Sequence, residues 1–173
     1  MKVRVNHKMA FTIEEFKANF SGGARANKFL IEVPFLPDKF NKFLVQSSSI
    51  PATDISEVPV KYMGATAKFA GERSVGDWNV TALLDNDYAG MNELEQWQNL
   101  MRQPNSGLGA TNHTSYKKEA YVQHLNQDGS VIAEYKLEGL FPSSIGEVAF
   151  SHETEGIATV AVTFKYDVRK KVS

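Results

Sequence analysis

Cysteine is absent from all 173 residues. That removes disulfide frameworks, thiolate metal sites and cysteine nucleophiles together, and it suits a protein assembled in a reducing compartment. Long apolar runs are absent as well, since no stretch of consecutive apolar residues exceeds three. A membrane-spanning helix needs about twenty largely apolar residues and a signal peptide about seven or more. Neither is expected, and the chain is not expected to insert into a membrane. An excess of one charge is also missing, with 19 basic residues against 20 acidic ones. Proteins that grip nucleic acid through phosphates carry a basic surplus, so strong phosphate binding by the chain as a whole is not expected. What remains is ordinary for a globular fold of one domain: 42% hydrophobic and 23% charged residues.

Catalytic constellations are missing too. His7, His113, His124 and His152 have no neighbours at metal-ligand spacing. The segment Asp85-Asn86-Asp87-Tyr88-Ala89-Gly90 starts like a calcium loop but places Ala89 where the fifth position requires an oxygen ligand and Gln96 where the twelfth requires a glutamate; a helix cap is the better reading. Gly107-Leu108-Gly109 lacks the third glycine and the preceding strand of a dinucleotide fingerprint. Ser47-Ser48-Ser49 has no evident base, and His152-Glu153-Thr154-Glu155 reads as a solvated turn. No catalytic residue, cofactor site or metal site is expected, and the chain is not expected to be an enzyme.

The pattern that is present has period two. Residues 1–23 read as an N-terminal arm with a short helix at about 13–20, capped by Thr12 and Glu15 and stapled by Phe11 and Phe16. From residue 24 to 173 a single β-rich domain is expected. Strands are expected at 28–33, 42–50, 57–63, 65–71 and 77–84, the third and fourth meeting around Gly64. One major helix follows at about 87–102, with Tyr88, Met91, Leu94, Trp97 and Met101 at helical spacing and Asp85 and Asp87 as caps. A hairpin over 117–125 and 130–139 turns at Asp128-Gly129. A final hairpin is expected to pair about 144–151 with 157–168, and the basic run Arg169-Lys170-Lys171 reads as a mobile tail. The expected subunit core contains Trp78, Val80, Leu94, Trp97, Val160, Val162 and Phe164. The fold class is mainly β, an antiparallel β-sandwich or half-barrel with one major helix.

Several segments, in order, resemble the tail tube protein family of contractile-tailed, T-even-type bacteriophages. They are Ser49-Ile50-Pro51-Ala52, Val58-Pro59-Val60 with Tyr62-Met63, and Ala70-Gly71-Glu72-Arg73-Ser74-Val75-Gly76-Asp77-Trp78-Asn79-Val80-Thr81 followed by Asp85-Asn86-Asp87. Trp97-Gln98, Tyr116-Lys117-Lys118, Leu137-Glu138-Gly139-Leu140-Phe141-Pro142-Ser143-Ser144-Ile145-Gly146-Glu147 and the strand 159–166 complete the set. The likeness covers about residues 24–168; residues 1–23 depart from the pattern.

The resemblance implies a hexameric ring whose inner wall is a continuous β-barrel, and rings stacked into a tube inside a sheath. It implies as partners other copies of the chain, the tail sheath protein, and baseplate and tail terminator proteins. DNA would pass through the lumen without specific binding. The tube would be assembled in the host cytoplasm and become part of the virion. By the same resemblance, ring-to-ring stacking falls to Pro51, Ala52, Val58, Tyr62, Met63 and Arg73. Two alternatives stay open from the sequence: the tube of a DNA-free contractile injection device or type VI-like system, and a monomeric β-barrel ligand-binding module.

Overall fold

In the computed structural model, which describes residues 12–20, 23–38, 40–153 and 155–172, the period-two runs become nine strands. In chain order the elements are α1 (Ile13–Asn19), β1 (Phe29–Glu32), β2 (Val45–Ser48), β3 (Thr53–Tyr62), β4 (Ala65–Val75), β5 (Trp78–Leu83), α2 (Ala89–Met101), α3 (His113–Tyr116), β6 (Lys118–Leu125), β7 (Val131–Ile145), β8 (Thr159–Lys165) and β9 (Val168–Lys171). Seven strands form one antiparallel sheet in the order β1-β6-β7-β8-β5-β2, with β9 beside β7; β3 and β4 pair only with each other. The path is open, ending at β1 and β2, and is not a closed barrel.

Strand β7 organises the sheet. Its first half lies between β6 and β9, and its second half pairs with β8. The change happens at Gly139, where the register against β6 slips. Gly139 has φ +73°, and a Cβ there would run into Oδ2 of Asp167. Only glycine meets both demands. The bulge brings Leu137 and Leu140 both into the core, although they stand three residues apart. The hairpin that begins β7 is tightened by Asp128, whose carboxylate accepts from the Ser130 amide at 2.9 Å and hydroxyl at 2.6 Å.

Helix α2 covers one face of this sheet. Leu94 and Trp97 are fully buried, with the Trp97 ring centre 4.9 Å from Phe35 and 6.2 Å from Phe164, and Phe164 5.2 Å from Trp78. Both indoles keep a hydrogen bond: Trp97 donates to the Tyr116 carbonyl at 2.6 Å and Trp78 to the Ser48 hydroxyl at 3.0 Å. Val80, Val160 and Val162 are buried in the same cluster.

Four local expectations are corrected. The stretch 42–50 is not all strand: Phe40–Leu44 is a π-helical turn, and pairing starts only at Val45. Asn41 explains the curl, because its buried amide accepts from the Val33 N–H at 3.1 Å and donates to the Val33 and Leu36 carbonyls at 3.0 and 3.3 Å. The N-cap of helix α2 is not an aspartate but Tyr88, in the left-handed region with no side-chain cap bond, and Gly90 in the first turn lies against the Phe40 ring. The final hairpin is not 144–151 with 157–168. Instead β7 itself runs to Ile145, the last strand divides into β8 and β9, and a loop spans 146–158. The basic run at the end is not a mobile tail but strand β9, paired with β7 over 135–138. At the other end, α1 forms with the capping box of Thr12 and Glu15; Phe11 of the expected staple lies outside the described residues.

Candidate assembly interface

Strands β3 and β4 build a long hairpin whose base alone, through Val75, packs against the core. Its tip is Met63-Gly64, with φ of 46° and 82°. Two successive left-handed residues give the primed turn that matches strand twist in a tight hairpin. The register opposes Val58 to Phe69, Val60 to Ala67 and Tyr62 to Ala65. Facing pairs share a side of a ladder and alternate residues share a side of a strand. One face of the hairpin is therefore wholly apolar: Val58, Val60, Tyr62, Ala65, Ala67 and Phe69. The other carries Glu57, Pro59, Lys61, Thr66 and Lys68, with Lys68 2.9 Å from Glu57.

In a soluble domain an apolar face of this kind normally lies on the core. Here it lies on nothing within the described residues. Tyr62 is 72% exposed, Met63 89% and Phe69 58%. Contiguous exposed apolar patches rimmed by charge mark contact surfaces.

The base of the hairpin is fixed firmly. The Gly76 N–H donates to the Ala52 carbonyl at 3.0 Å. Arg169 of β9 donates through Nη1 to the Pro51 carbonyl and through Nη2 to the Thr53 hydroxyl at 3.4 Å, with its guanidinium 5.0 Å from the Tyr135 ring centre. Just beyond the base the register shifts between Ile55 and Glu57, a bulge in β3. Next to it, a Cβ on Gly71 would collide with the Ser56 hydroxyl.

The six residues expected to carry stacking therefore separate. Ala52, Val58, Tyr62, Met63 and Arg73 are exposed along the hairpin or at its base. Pro51 is buried, its carbonyl occupied by Arg169, so it belongs to the anchor and not to the outer surface. Val60, Ala65, Ala67 and Phe69 complete the apolar face and escaped the sequence reading. Their signal was the alternation at 58, 60 and 62, mirrored at 65, 67 and 69 about Gly64. The anchor residue Arg169 had no local signal, because its partner Pro51 stands 118 residues away.

The sheet also has three edge strands. Among the described residues β1 pairs only with β6, β2 only with β5 and β9 only with β7. Each leaves one row of backbone groups facing outward, a template for another strand.

A family model described as phage tail tube protein matches residues 7–169. The chain belongs to that family. The tail tube protein gp19 of Enterobacteria phage T4 is 26% identical over 159 residues, spanning 90% of this chain and 97% of that one. Among solved structures, the tube-terminating cap of the anti-feeding prophage shares the fold with a TM-score of 0.69 at 18% identity, covering 88% of this chain and 92% of the other. The sheath–tube complex of the extracellular contractile injection system PVC gives a TM-score of 0.62 at 18% identity, covering 92% and 97%. This tail tube protein is thus a structural component of a contractile phage tail and part of the virion. Among its described residues no helix is long and apolar enough to cross a membrane.

Proposed function

We propose that six copies of this chain close into a ring, that rings stack into a hollow tube, and that the β3–β4 hairpin is the element joining each copy to the next. The chain performs no catalysis; its work is assembly and passage of DNA. The observation that carries this reading is the apolar hairpin face left uncovered in the single subunit. Burying a side chain such as Val58, Val60, Tyr62 or Phe69 contributes roughly 1.5–3 kcal/mol each, a driving force realised only when another copy covers them. The edges at β1 and β2 support lateral closure, since edge-to-edge pairing within a ring removes exposed strand borders. Head-to-tail contact through a hairpin is heterologous and therefore extends as a filament.

Ala52, Val58, Tyr62, Met63 and Arg73 are assigned to stacking, joined by Val60, Ala65, Ala67 and Phe69. Residues 1–23 are assigned to an N-terminal arm and residues 24–173 to the single tube domain. The arm's helix α1 has no buried residue and exposes Ile13, Phe16 and Phe20, consistent with a contact made in the assembly. The tail sheath, baseplate and tail terminator proteins are the external partners. Negative-stain microscopy of the purified protein tests the reading: rings or tubes are expected at high concentration or with a sheath partner. A strict monomer under all salt conditions, with no nucleation by a sheath protein, would overturn it.

A further inference from the structure

The hairpin leaves the sheet at one end of the β5–β8 ladder. Strand β4 ends at Val75, β5 opens with Trp78 opposite Phe164, and the Gly76 N–H donates to the Ala52 carbonyl there. At the other end of the same ladder Leu83 faces Thr159, and the Leu84 N–H donates to the Ala158 carbonyl. The two ends are separated by the length of β5, roughly 17 Å at the usual rise per residue.

That far end carries the connection from β7 to β8, described over 146–153 and 155–158. On it Phe150 is 78% exposed and Ile157 69%. With Ala149 and Ala158 they line an open groove of about 490 Å³. Ile157 also lines a groove of about 430 Å³ with Leu44, Leu83 and Leu84, so the two grooves meet at this side chain. The subunit thus has a second exposed apolar surface, on the end opposite the hairpin base. Charge distinguishes the two surfaces. Residues 58–69 contain Lys61 and Lys68 and no acidic residue, whereas residues 146–158 contain Glu147, Glu153 and Glu155 and neither lysine nor arginine. Lys61 and all three glutamates are exposed.

Building on the tube reading, we propose that the groove at Phe150 and Ile157 receives the β3–β4 hairpin of a second copy in the adjacent ring, with the apolar hairpin face on the groove and Lys61 toward Glu153 and Glu155. A head-to-tail contact joins two different patches of the same chain, and a filament grows along an axis when those patches stand at opposite ends. An apolar face gains from a contact only where the surface covering it is apolar too. Opposite charge around the contact favours this pairing over hairpin against hairpin, which would bring lysines together.

Cross-linking of assembled tubes tests this. The chain has no cysteine, so Tyr62→Cys with Phe150→Cys in one chain supplies the two ends of the contact and no other thiol. In tubes a short bis-maleimide is expected to join copies into a ladder on a denaturing gel that continues past the six chains of one ring. Each copy gives its hairpin to one neighbour and its groove to another along the tube. Either single variant is expected to give no ladder, and separate subunits at high dilution no internal link. A ladder that stops at six places the hairpin on a copy in the same ring, and tubes without any ladder keep it away from the groove; either overturns the proposal, as does an internal link. Phe150→Asp supplies a second measurement. Thermal unfolding of the subunit should not change, because the side chain is exposed. Rings should persist while the yield of tubes falls roughly tenfold or more, the effect of withdrawing one large apolar side chain from a contact. Tubes at the parental yield overturn the proposal. Lys61→Glu with Lys68→Glu should also lower the yield, and adding Glu153→Lys and Glu155→Lys in the same chain should restore it; a loss that the second pair does not repair overturns the pairing of these surfaces. Microscopy of the parent separates the two levels: no tubes at all defeats the tube reading, whereas intact tubes with no ladder defeat only this one.

Discussion

The α2-covered sheet and the β3–β4 hairpin are built from the same alternating pattern and meet opposite fates. In β5 and β8 the apolar alternates Trp78, Val80, Val160, Val162 and Phe164 are buried by α2 and by each other. In the hairpin the apolar alternates Val58, Val60, Tyr62 and Phe69 are open to solvent. Strand pairing does not explain the difference, because nine residue pairs hold β3 against β4. What differs is the covering: α2 packs against the sheet, whereas the apolar side chains of the hairpin stay exposed within the subunit. The body of the molecule stabilises the subunit, and the apolar surface of the hairpin stays exposed within it, the surface proposed above to meet a neighbour.

Mutations at the two regions should therefore report in different measurements. Trp97→Ala removes the ring packed between Phe35 and Phe164 and the bond to the Tyr116 carbonyl, and should cost about 3–5 kcal/mol in a denaturant titration of the subunit. A cost below about 1 kcal/mol would mean that the body is less closely packed than its buried cluster implies. Gly139→Ala forces a Cβ toward Asp167 at positive φ and should cost about 1–3 kcal/mol by the same titration. Phe69→Asp, in contrast, should change subunit stability by no more than about 0.5 kcal/mol yet prevent tube formation seen by sedimentation and negative stain. A large loss of subunit stability there would erase the distinction between the regions.

The smallest effect is electrostatic. The contact with the Lys170 ammonium, followed by that with Lys136, holds the Glu138 carboxyl below its ordinary 4.5. A depressed carboxyl stabilises the fold above its unfolded value and loses that contribution as pH falls through the lower, folded value. The contact with Glu119 raises Lys136 from its ordinary 10.5, so its contribution is full below that value and fades as pH rises through the raised one. The stability difference between the parent and Glu138→Gln should be constant between 4.5 and 10.5 and shrink on the acid side, as urea titrations across pH would show. The groups are exposed, so the difference itself should be small.

Much of this was legible before any coordinates. The turn at Asp128-Gly129, the capping box of Thr12 and Glu15 and the helix spacing of Leu94 and Trp97 are local signals, and local signals act within a few residues. The errors arose where a distant group captured the backbone. Asn41 curled the start of the strand expected at 42–50 by bonding Val33 and Leu36, leaving a π-helical turn over Phe40–Leu44. The terminal Arg169 was drawn into a strand because β7 offered it a free edge and Pro51 a carbonyl. At the hairpin, alternation announced an apolar face but not what would cover it.

The sequence by itself determined that the chain is mainly β with one long helix, and that two strands, 57–63 and 65–71, meet around Gly64. Only the tertiary structure decided which apolar faces the subunit keeps for its own core and which it leaves bare. The reason is physical: alternation depends on neighbours two residues away, whereas burial depends on whichever element the whole fold brings opposite.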